Sequence, residues 1–437
     1  MKTSMNYNEI CLLNDSFPPL IDGVANTVTN YARILQENGK GVCVVTPDNP
    51  DADDSRFSYP VYRYKSLDLR DRIGYTAGNP FDLHTQVQLK KREISLLHSH
   101  CPVMSNTMAR SLRHSMDVPF ILTYHTKFDI DIKNILKLRL LRAEALRALV
   151  DSVSSCDELW VVSKGAGENI KSLGYEGDYI IMKNGVDMPK KHLSQAETEQ
   201  YIKGYNLPGD VPVFLFVGRL MWYKGIRLII DALAALKYHG YDFRMVFVGE
   251  GGDEAEIKSY VSSHLLFDKV IFTEAVRDRE TLAAWYSRAD LLLFPSTFDT
   301  NGLVVREAAA CSLASVLVEN SCAAEGIENG VDGLLIQENA ASLAVCLSTI
   351  INHRDAMHEI GKRASDRIYL SWEDSVLKAM ERYEIVIDNY RSGRYRKKRD
   401  ITEEFFTLSG GLLDLIYDLE EHHAHIEERL NHLHMRR

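Results

Sequence analysis

Short apolar runs, separated by stretches of helical periodicity, constrain this chain more than any other feature. The first series is Ile10–Leu13, Val42–Thr46, Ser95–His98, Phe120–Thr123, Leu159–Val162 and Tyr179–Met182. A second follows at Val213–Val217, Met245–Val248, Val270–Thr273, Leu291–Phe294 and Ser315–Val318. Runs of this length, apolar on both faces and alternating with helices such as Ile226–Lys237 and Arg279–Ala289, predict βαβ units and parallel sheets. Between the series lies the polar stretch Asp187–Asp210, with Pro189, Pro208 and Gly209 and no strand pattern. The expected organisation is an α/β fold with an N-terminal domain over 1–187, a linker over 188–210 and a second domain over 211–370. A helix over 371–390 follows, then a basic segment and helical tail over 391–437. Two domains of this kind suit 437 residues, at about 150 residues per domain.

Composition removes several classes. The net charge of −10 argues against a dedicated nucleic-acid binder, which would be basic. No run approaches the roughly 18 apolar residues of a membrane span. Near the start, Asn6, Asn8 and Glu9 interrupt the apolar region too early for a signal peptide. The seven cysteines are scattered singly, with no CxxC or Cys/His cluster, and read as reduced thiols of a cytosolic protein.

Three segments carry chemistry. Phe17–Val24 follows the first strand and contains Asp22-Gly23-Val24 just before a helix. A glycine there lets backbone approach a phosphate, although a plain tight turn has the same pattern. Val217-Gly218-Arg219-Leu220 ends a strand, and Lys224-Gly225 comes shortly after. Two cations at a strand's carboxyl end can clamp a diphosphate and neutralise a leaving nucleotide, the alternative being a solvated basic turn. In Pro295–Ala308 a strand runs through Asp299, Asn301 and Gly302 into a helix. The amides of Gly302, Leu303 and Val304 would face an anion, with Glu307 suited to ribose hydroxyls and Asp299 to sugar hydroxyls. A capped helix with two solvated acids gives the same pattern.

Taken together, these segments resemble the retaining glycosyltransferases of family 4, over roughly residues 8–390. The family's glycine loop stands as Asp22-Gly23-Val24, its cationic clamp as Gly218-Arg219 with Lys224-Gly225, and its Glu-x7-Glu motif as Asp299-x7-Glu307. Thr123-Tyr124-His125-Thr126 is similar to the acceptor-side histidine motif, and Asn184-Gly185-Val186-Asp187 to the sequence that closes the family's first domain. The resemblance implies the GT-B architecture, two Rossmann-like domains facing a cleft. It implies that Arg219 and Lys224 hold the donor pyrophosphate, that Gly23 lies against it and that Glu307 holds the ribose. It places His125 by the acceptor and the transferred sugar, and the backbone near Val276 at the base. The loop Val248–Gly252, with Gly249, would run under the nucleotide. No metal or other cofactor is implied, the nucleotide sugar being a substrate.

The sequence departs from the family at Asp299, one methylene short of glutamate, at Asn301, where an aromatic is usual, and at Ser312-Leu313-Ala314, which replaces Gly-x-Pro. These positions touch the sugar pocket or its wall, so the sugar is less defined than the clamp. Asp51-Ala52-Asp53 and Asp129-Ile130-Asp131 match the DxD metal site of the other glycosyltransferase fold, but neither follows a strand at a nucleotide site.

Relatives with an Asp-Gly-Val loop and a Tyr-His-Thr motif include lipid glucosyl- and mannosyltransferases. Lys133–Val150 adds an apolar stripe of Ile135, Leu138, Leu141 and Ala145, flanked by Lys133, Lys137, Arg139, Arg142 and Arg147. Such a helix either lies on an anionic bilayer or is the exposed face of a packed helix. Arg391–Arg399 could supply a second electrostatic anchor. The expectation is transfer of a hexose, from UDP-glucose first and GDP-mannose second, to a lipid such as diacylglycerol. The alternatives are a soluble acceptor and an inactive nucleotide-sugar-binding subunit. The expected location is cytoplasmic, on the inner face of the cell membrane. From Gly411 a heptad seam runs through Leu412, Ile416, Leu419, His423, Ile426, Leu430 and Leu433, suggesting a homodimer or a helix docked on its own chain.

Overall fold

The computed structural model describes residues 8–20, 22–68, 76–129, 132, 138–205, 207–395, 404–415 and 417. The chain divides into two compact units.

Unit 1 is built on a seven-stranded sheet. Its strands are β1 (Glu9–Leu13), β2 (Gly41–Pro47), β3 (Val61–Tyr64), β4 (Ile94–Ser99), β5 (Phe120–Tyr124), β6 (Glu158–Val161) and β7 (Tyr179–Ile181). They are parallel, in the order β3-β2-β1-β4-β5-β6-β7. β1 and β5 are buried along their whole length, which is why they read as unbroken apolar runs. Strand β3, Val-Tyr-Arg-Tyr, escaped the sequence reading because Arg63 breaks the run; its guanidinium is spent on Asp54 and on the carbonyls of Pro47 and Pro18. Helix α1 (Gly23–Glu37) begins where the Asp22 carboxylate accepts from the amides of Val24 and Ala25, each at 2.8 Å.

Unit 2 holds six parallel strands, β8 (Val213–Val217), β9 (Arg244–Val248), β10 (Val270–Thr273), β11 (Leu291–Phe294), β12 (Ser315–Val318) and β13 (Leu334–Ile336). Their order is β10-β9-β8-β11-β12-β13. The three-residue β13 was too short to be recognised in the sequence.

In each sheet the order reverses once, between β1 and β4 and between β8 and β11. At such a switch point neighbouring crossovers depart to opposite faces and leave a crevice at the carboxyl ends, where open α/β sheets bind ligands.

The units are divided differently from the sequence expectation. Unit 1 comprises residues 1–162, 166–182 and 376–437, and unit 2 residues 163–165 and 183–375. The stretch 188–210 is not a bare linker. It carries the helix Gln195–Tyr201, begun by a Ser194/Glu197 capping box, and buries Met188 and Ile202 in the core of unit 2. Asn184–Asp187 opens unit 2 rather than closing the first domain. Val186 pairs with Ser371, and a side chain on Gly185 would strike the Ser371 carbonyl at 2.3 Å. The helix Trp372–Arg391 starts in unit 2 and returns to unit 1.

In the tail, residues 404–415 are helical. Phe406 and Leu413 are buried on unit 1, and Phe406 lies under the Arg110 guanidinium at 4.3 Å. Leu412, expected on the dimer seam, is exposed. The part described therefore docks on its own chain through another face. Ile416, Leu419, His423, Ile426, Leu430 and Leu433 lie outside the described residues.

Candidate active site

In unit 2 the carboxyl ends of β8 and β11 carry the predicted clamp. The loops after β8 and β9 are pressed together: a Cβ on Gly249, at φ +141°, would sit 2.1 Å from the Gly218 carbonyl oxygen. That contact demands glycine and leaves Gly218-Arg219 at the open edge of the sheet. Arg219 is exposed, and among the described residues its guanidinium has no partner. Lys224 is buried, at the end of a short 3-10 turn closed by Gly225 in the left-handed region (φ +79°). A Cβ on Gly225 would meet the Pro295 carbonyl at 2.5 Å, so this glycine lets the β8 and β11 loops touch.

The touch brings two predicted residues together. Lys224 Nζ lies 2.6 Å from Asp299 Oδ1, and the other Asp299 oxygen accepts from Ser296 Oγ at 2.6 Å. Asp299 thus holds the clamp lysine instead of standing free for sugar hydroxyls. Charged hydrogen bonds of this kind are short and strong, and they hold the ammonium at one place on the loop.

Gly302, in the left-handed region at φ +58°, starts the helix Leu303–Ala310. The first-turn amides of any helix lack intrahelical carbonyls and carry the positive end of its dipole, so Leu303 and Val304 open an anion-binding position. Asn301 turns away from solvent toward the buried Arg306, which donates to its carbonyl at 2.9 Å and to its side-chain oxygen at 2.6 Å. Burial pulls the Arg306 guanidinium down to about 10. Glu307 accepts from the Tyr286 hydroxyl at 2.8 Å, and Arg279 bridges it to Asp187 at 3.3 and 3.4 Å. Burial raises its carboxyl above the ordinary range. Tyr286 and Arg279 were not singled out in the sequence, because they reach Glu307 from 21 and 28 positions away; Arg306, five positions from Asn301, lay within the same segment and was passed over. Val276 lies half-buried after β10 beside the Glu250 loop, where the Ala275 amide donates to the Glu250 carboxylate at 3.3 Å.

In unit 1 the switch point is lined by imidazoles. His125 follows β5 and is buried. Its Nε2 lies 3.0 Å from Nδ1 of His100, which follows β4. His98, at the end of β4, lies tilted against His100 with ring centroids 4.1 Å apart. His98 is itself bonded through Nδ1 to the Tyr383 hydroxyl at 2.6 Å and through Nε2 to Thr123 Oγ1 at 2.7 Å. Burial pushes all three imidazoles down, His125 to about 3, so they stay neutral at ordinary pH. His98 and His100 were missed, although His98-Ser99-His100 at a predicted strand's carboxyl end was a readable signal. Gly23 opens α1, but the amides beside it are capped by Asp22, so that helix start is already neutralised. Of the DxD strings, Asp53 forms a turn with Ser55 and Asp129 accepts from Asn169 at 3.1 Å, while Asp131 lies outside the described residues. Among the described residues no group of three or more His, Cys, Asp or Glu is placed to hold a metal ion.

The geometry places two cations and a helix start at the carboxyl end of one sheet and a neutral polar cluster at that of the other. Two family patterns match, the first over the unit with the histidine cluster and the second over the unit with Arg219 and Lys224. Glycosyltransferase Family 4 matches residues 21–189, and Glycosyl transferases group 1 matches residues 197–367. The chain carries a family 4 glycosyltransferase domain followed by a group 1 glycosyltransferase domain. It is an enzyme of the GT-B fold. The alpha-monoglucosyldiacylglycerol synthase of Acholeplasma laidlawii is 23% identical over 344 residues, covering 76% of this chain and 85% of that protein. The GDP-mannose-dependent alpha-mannosyltransferase of Corynebacterium glutamicum is 23% identical over 330 residues, covering 75% of this chain and 76% of its own. HepE of Anabaena, solved with UDP-glucose, superposes with a TM-score of 0.66 at 17% identity, over 87% of this chain and 99% of that one.

Proposed function

We propose that this glycosyltransferase moves a hexose from UDP-glucose to a membrane lipid such as diacylglycerol, with retention as an α-glycoside. The observation that carries the lipid acceptor is the helix Arg139–Ser154 of unit 1. Its carboxyl half packs through Leu149 and Val153, but its start bares Leu138, Leu140 and Leu141, at 65%, 74% and 49% exposure, beside Arg139 and Arg142. Apolar side chains that water must cover, next to cations, suit the surface of an anionic bilayer. Leu140 was not part of the predicted stripe; Ile135, Lys133 and Lys137 lie outside the described residues. No helix among the described residues is long and apolar enough to cross a membrane; the exposed leucines and arginines support a reading in which the protein is held on the surface of the cytoplasmic leaflet. The glucolipid synthase among its relatives supports the acceptor, and UDP-glucose in a protein of the same fold supports the donor. The mannosyltransferase relative favours GDP-mannose as the second donor. The clamp needs no metal to hold a pyrophosphate, since Arg219 and Lys224 can supply the charge.

The test is turnover of UDP-glucose, UDP-galactose, UDP-N-acetylglucosamine and GDP-mannose, with anionic vesicles containing diacylglycerol as acceptor. Glucosyldiacylglycerol should form fastest from UDP-glucose, and the protein should co-sediment with the vesicles until salt releases it. Neutralising Lys133, Lys137, Arg139 and Arg142 should abolish co-sedimentation, each contributing about 1 kcal/mol near such a surface. Full turnover on a soluble acceptor without vesicles would overturn the lipid reading.

A further inference from the structure

The imidazoles of unit 1 hold more information than one catalytic-side histidine. His100 is 2% exposed, with one nitrogen on His125 and the other, Nε2, buried without a partner among the described residues. Its ring cannot turn easily. His98 lies tilted against one side at 4.1 Å, the Tyr31 ring meets it edge-on at 5.4 Å, and His125 lies nearly parallel at 5.3 Å. His98 is held in turn by Tyr383 and Thr123, and stands edge-on to Trp160 at 4.9 Å. The backbone of His100 is fixed as well, its amide donating to the Leu13 carbonyl of β1 at 2.8 Å.

Between two neutral imidazoles a single proton occupies the bond, and where it sits decides both tautomers. If it were on His125 Nε2, His100 would keep its proton on Nε2, a buried donor with nothing to receive it. If it is on His100 Nδ1, the unpartnered atom is a bare acceptor. Buried donors are orphaned more rarely than acceptors. We propose that His100 is the positioning residue of this site: its Nδ1–H donates to His125 Nε2 and fixes His125 as the tautomer that carries its proton on Nδ1. His125 then carries its proton on Nδ1 in a set direction, and the orienting bond comes from a second histidine. This rests on the reading of His125 as the residue beside acceptor and transferred sugar.

Selective ¹⁵N-histidine labelling of the full chain, with His125 assigned by substitution, reads the tautomer without any turnover. The expected spectrum has a protonated Nδ1 and a bare Nε2 at His125. A proton on Nε2 there would overturn the proposal. His100→Leu should shift His125 toward mixed tautomers and lower kcat roughly 10- to 100-fold, the loss typical when a partner that orients an imidazole is removed, with donor KM little changed. His100→Asn keeps an amide donor near the position of Nδ1 and should restore both spectrum and rate to within a few-fold. It also serves if the leucine variant does not fold. Equal losses in the Asn and Leu variants, or an unchanged His125 spectrum in the Leu variant, would show that His100 only fills space. A changed spectrum with unchanged transfer would remove His125 from the reaction, and the positioning role with it, while leaving the glycosyltransferase assignment intact.

Discussion

The two switch points are built from opposite kinds of polarity. Unit 2 presents full charges: an exposed arginine, and a buried lysine held by an aspartate at 2.6 Å. Unit 1 presents imidazoles that burial keeps uncharged. A diphosphate arrives with charge and leaves with more, so a site for it gains from fixed cations. A sugar hydroxyl is neutral and needs direction rather than charge, which a locked neutral ring supplies without the cost of burying an ion. On the proposed function, the same α/β topology would serve two tasks, according to which side chains follow the central strands.

The sharpest way to break this comparison is to remove the charges. Arg219→Ala should lower kcat at least roughly 100-fold, the scale for one lost preorganised stabiliser, while leaving the thermal midpoint unchanged because the side chain is exposed. Lys224→Ala should lower turnover as much and stability too, since it strands Asp299. Steady-state kinetics beside a melting curve separates them. Near-normal kcat in either variant would remove the clamp assignment.

Acid should tell the units apart. The buried histidines of unit 1 have folded pKa values below their unfolded value of about 6.5. Below that pH the unfolded chain takes up protons that the native state refuses, so stability falls as pH falls from about 6.5 toward 3. One unit below, the loss is about 1.4 kcal/mol per histidine. Glu307 in unit 2 has the reverse sign: its folded pKa is raised, so its contribution grows as pH falls through that value. Denaturant melts at about pH 7.5 and about pH 5.5 should show the acid loss, and His98→Asn with His125→Asn should flatten it. An equally steep loss in that double variant would place the sensitivity elsewhere.

A smaller effect is expected at Asp299. Asp299→Asn removes the anion that competes with a pyrophosphate for Lys224, so UDP should bind a few-fold tighter, as loss of a partly exposed pair worth about 1 kcal/mol allows. Transfer should nonetheless fall, because the ammonium loses its fixed place. Calorimetry of UDP binding beside kcat measures both. Weaker binding would show that the aspartate aims the lysine more than it competes with it.

Most of the fold was legible because its central strands are buried on both faces and their residues carry no competing signal. Val61–Tyr64 was not, since a strand containing Arg63 reads as polar until its carbonyl and carboxylate partners are known. The placement of Arg219 and Lys224 at the end of β8 was legible because Gly218, Arg219, Lys224 and Gly225 are neighbours in sequence, and Gly225 answers a close approach to the Pro295 carbonyl. The partnership of Lys224 with Asp299 spans 75 positions, and that of His98 with Tyr383 spans 285. Local periodicity contains no information about pairs so far apart. The linker was misplaced for a related reason: polar composition over 188–210 conceals the few apolar residues, Met188 and Ile202, that anchor it to unit 2.

The helix Trp372–Arg391 sets rules for recombining this enzyme with its relatives. Its first turn belongs to the charged unit, while Tyr383 stacks on Trp160 at 5.4 Å and bonds His98 in the other. A chimera that exchanges only 183–375 would replace the cations of unit 2 and keep the native tyrosine with its histidine. One that exchanges everything after 182 would bring a foreign residue to His98, and a fault made at the end of the gene would surface in chemistry encoded near its beginning.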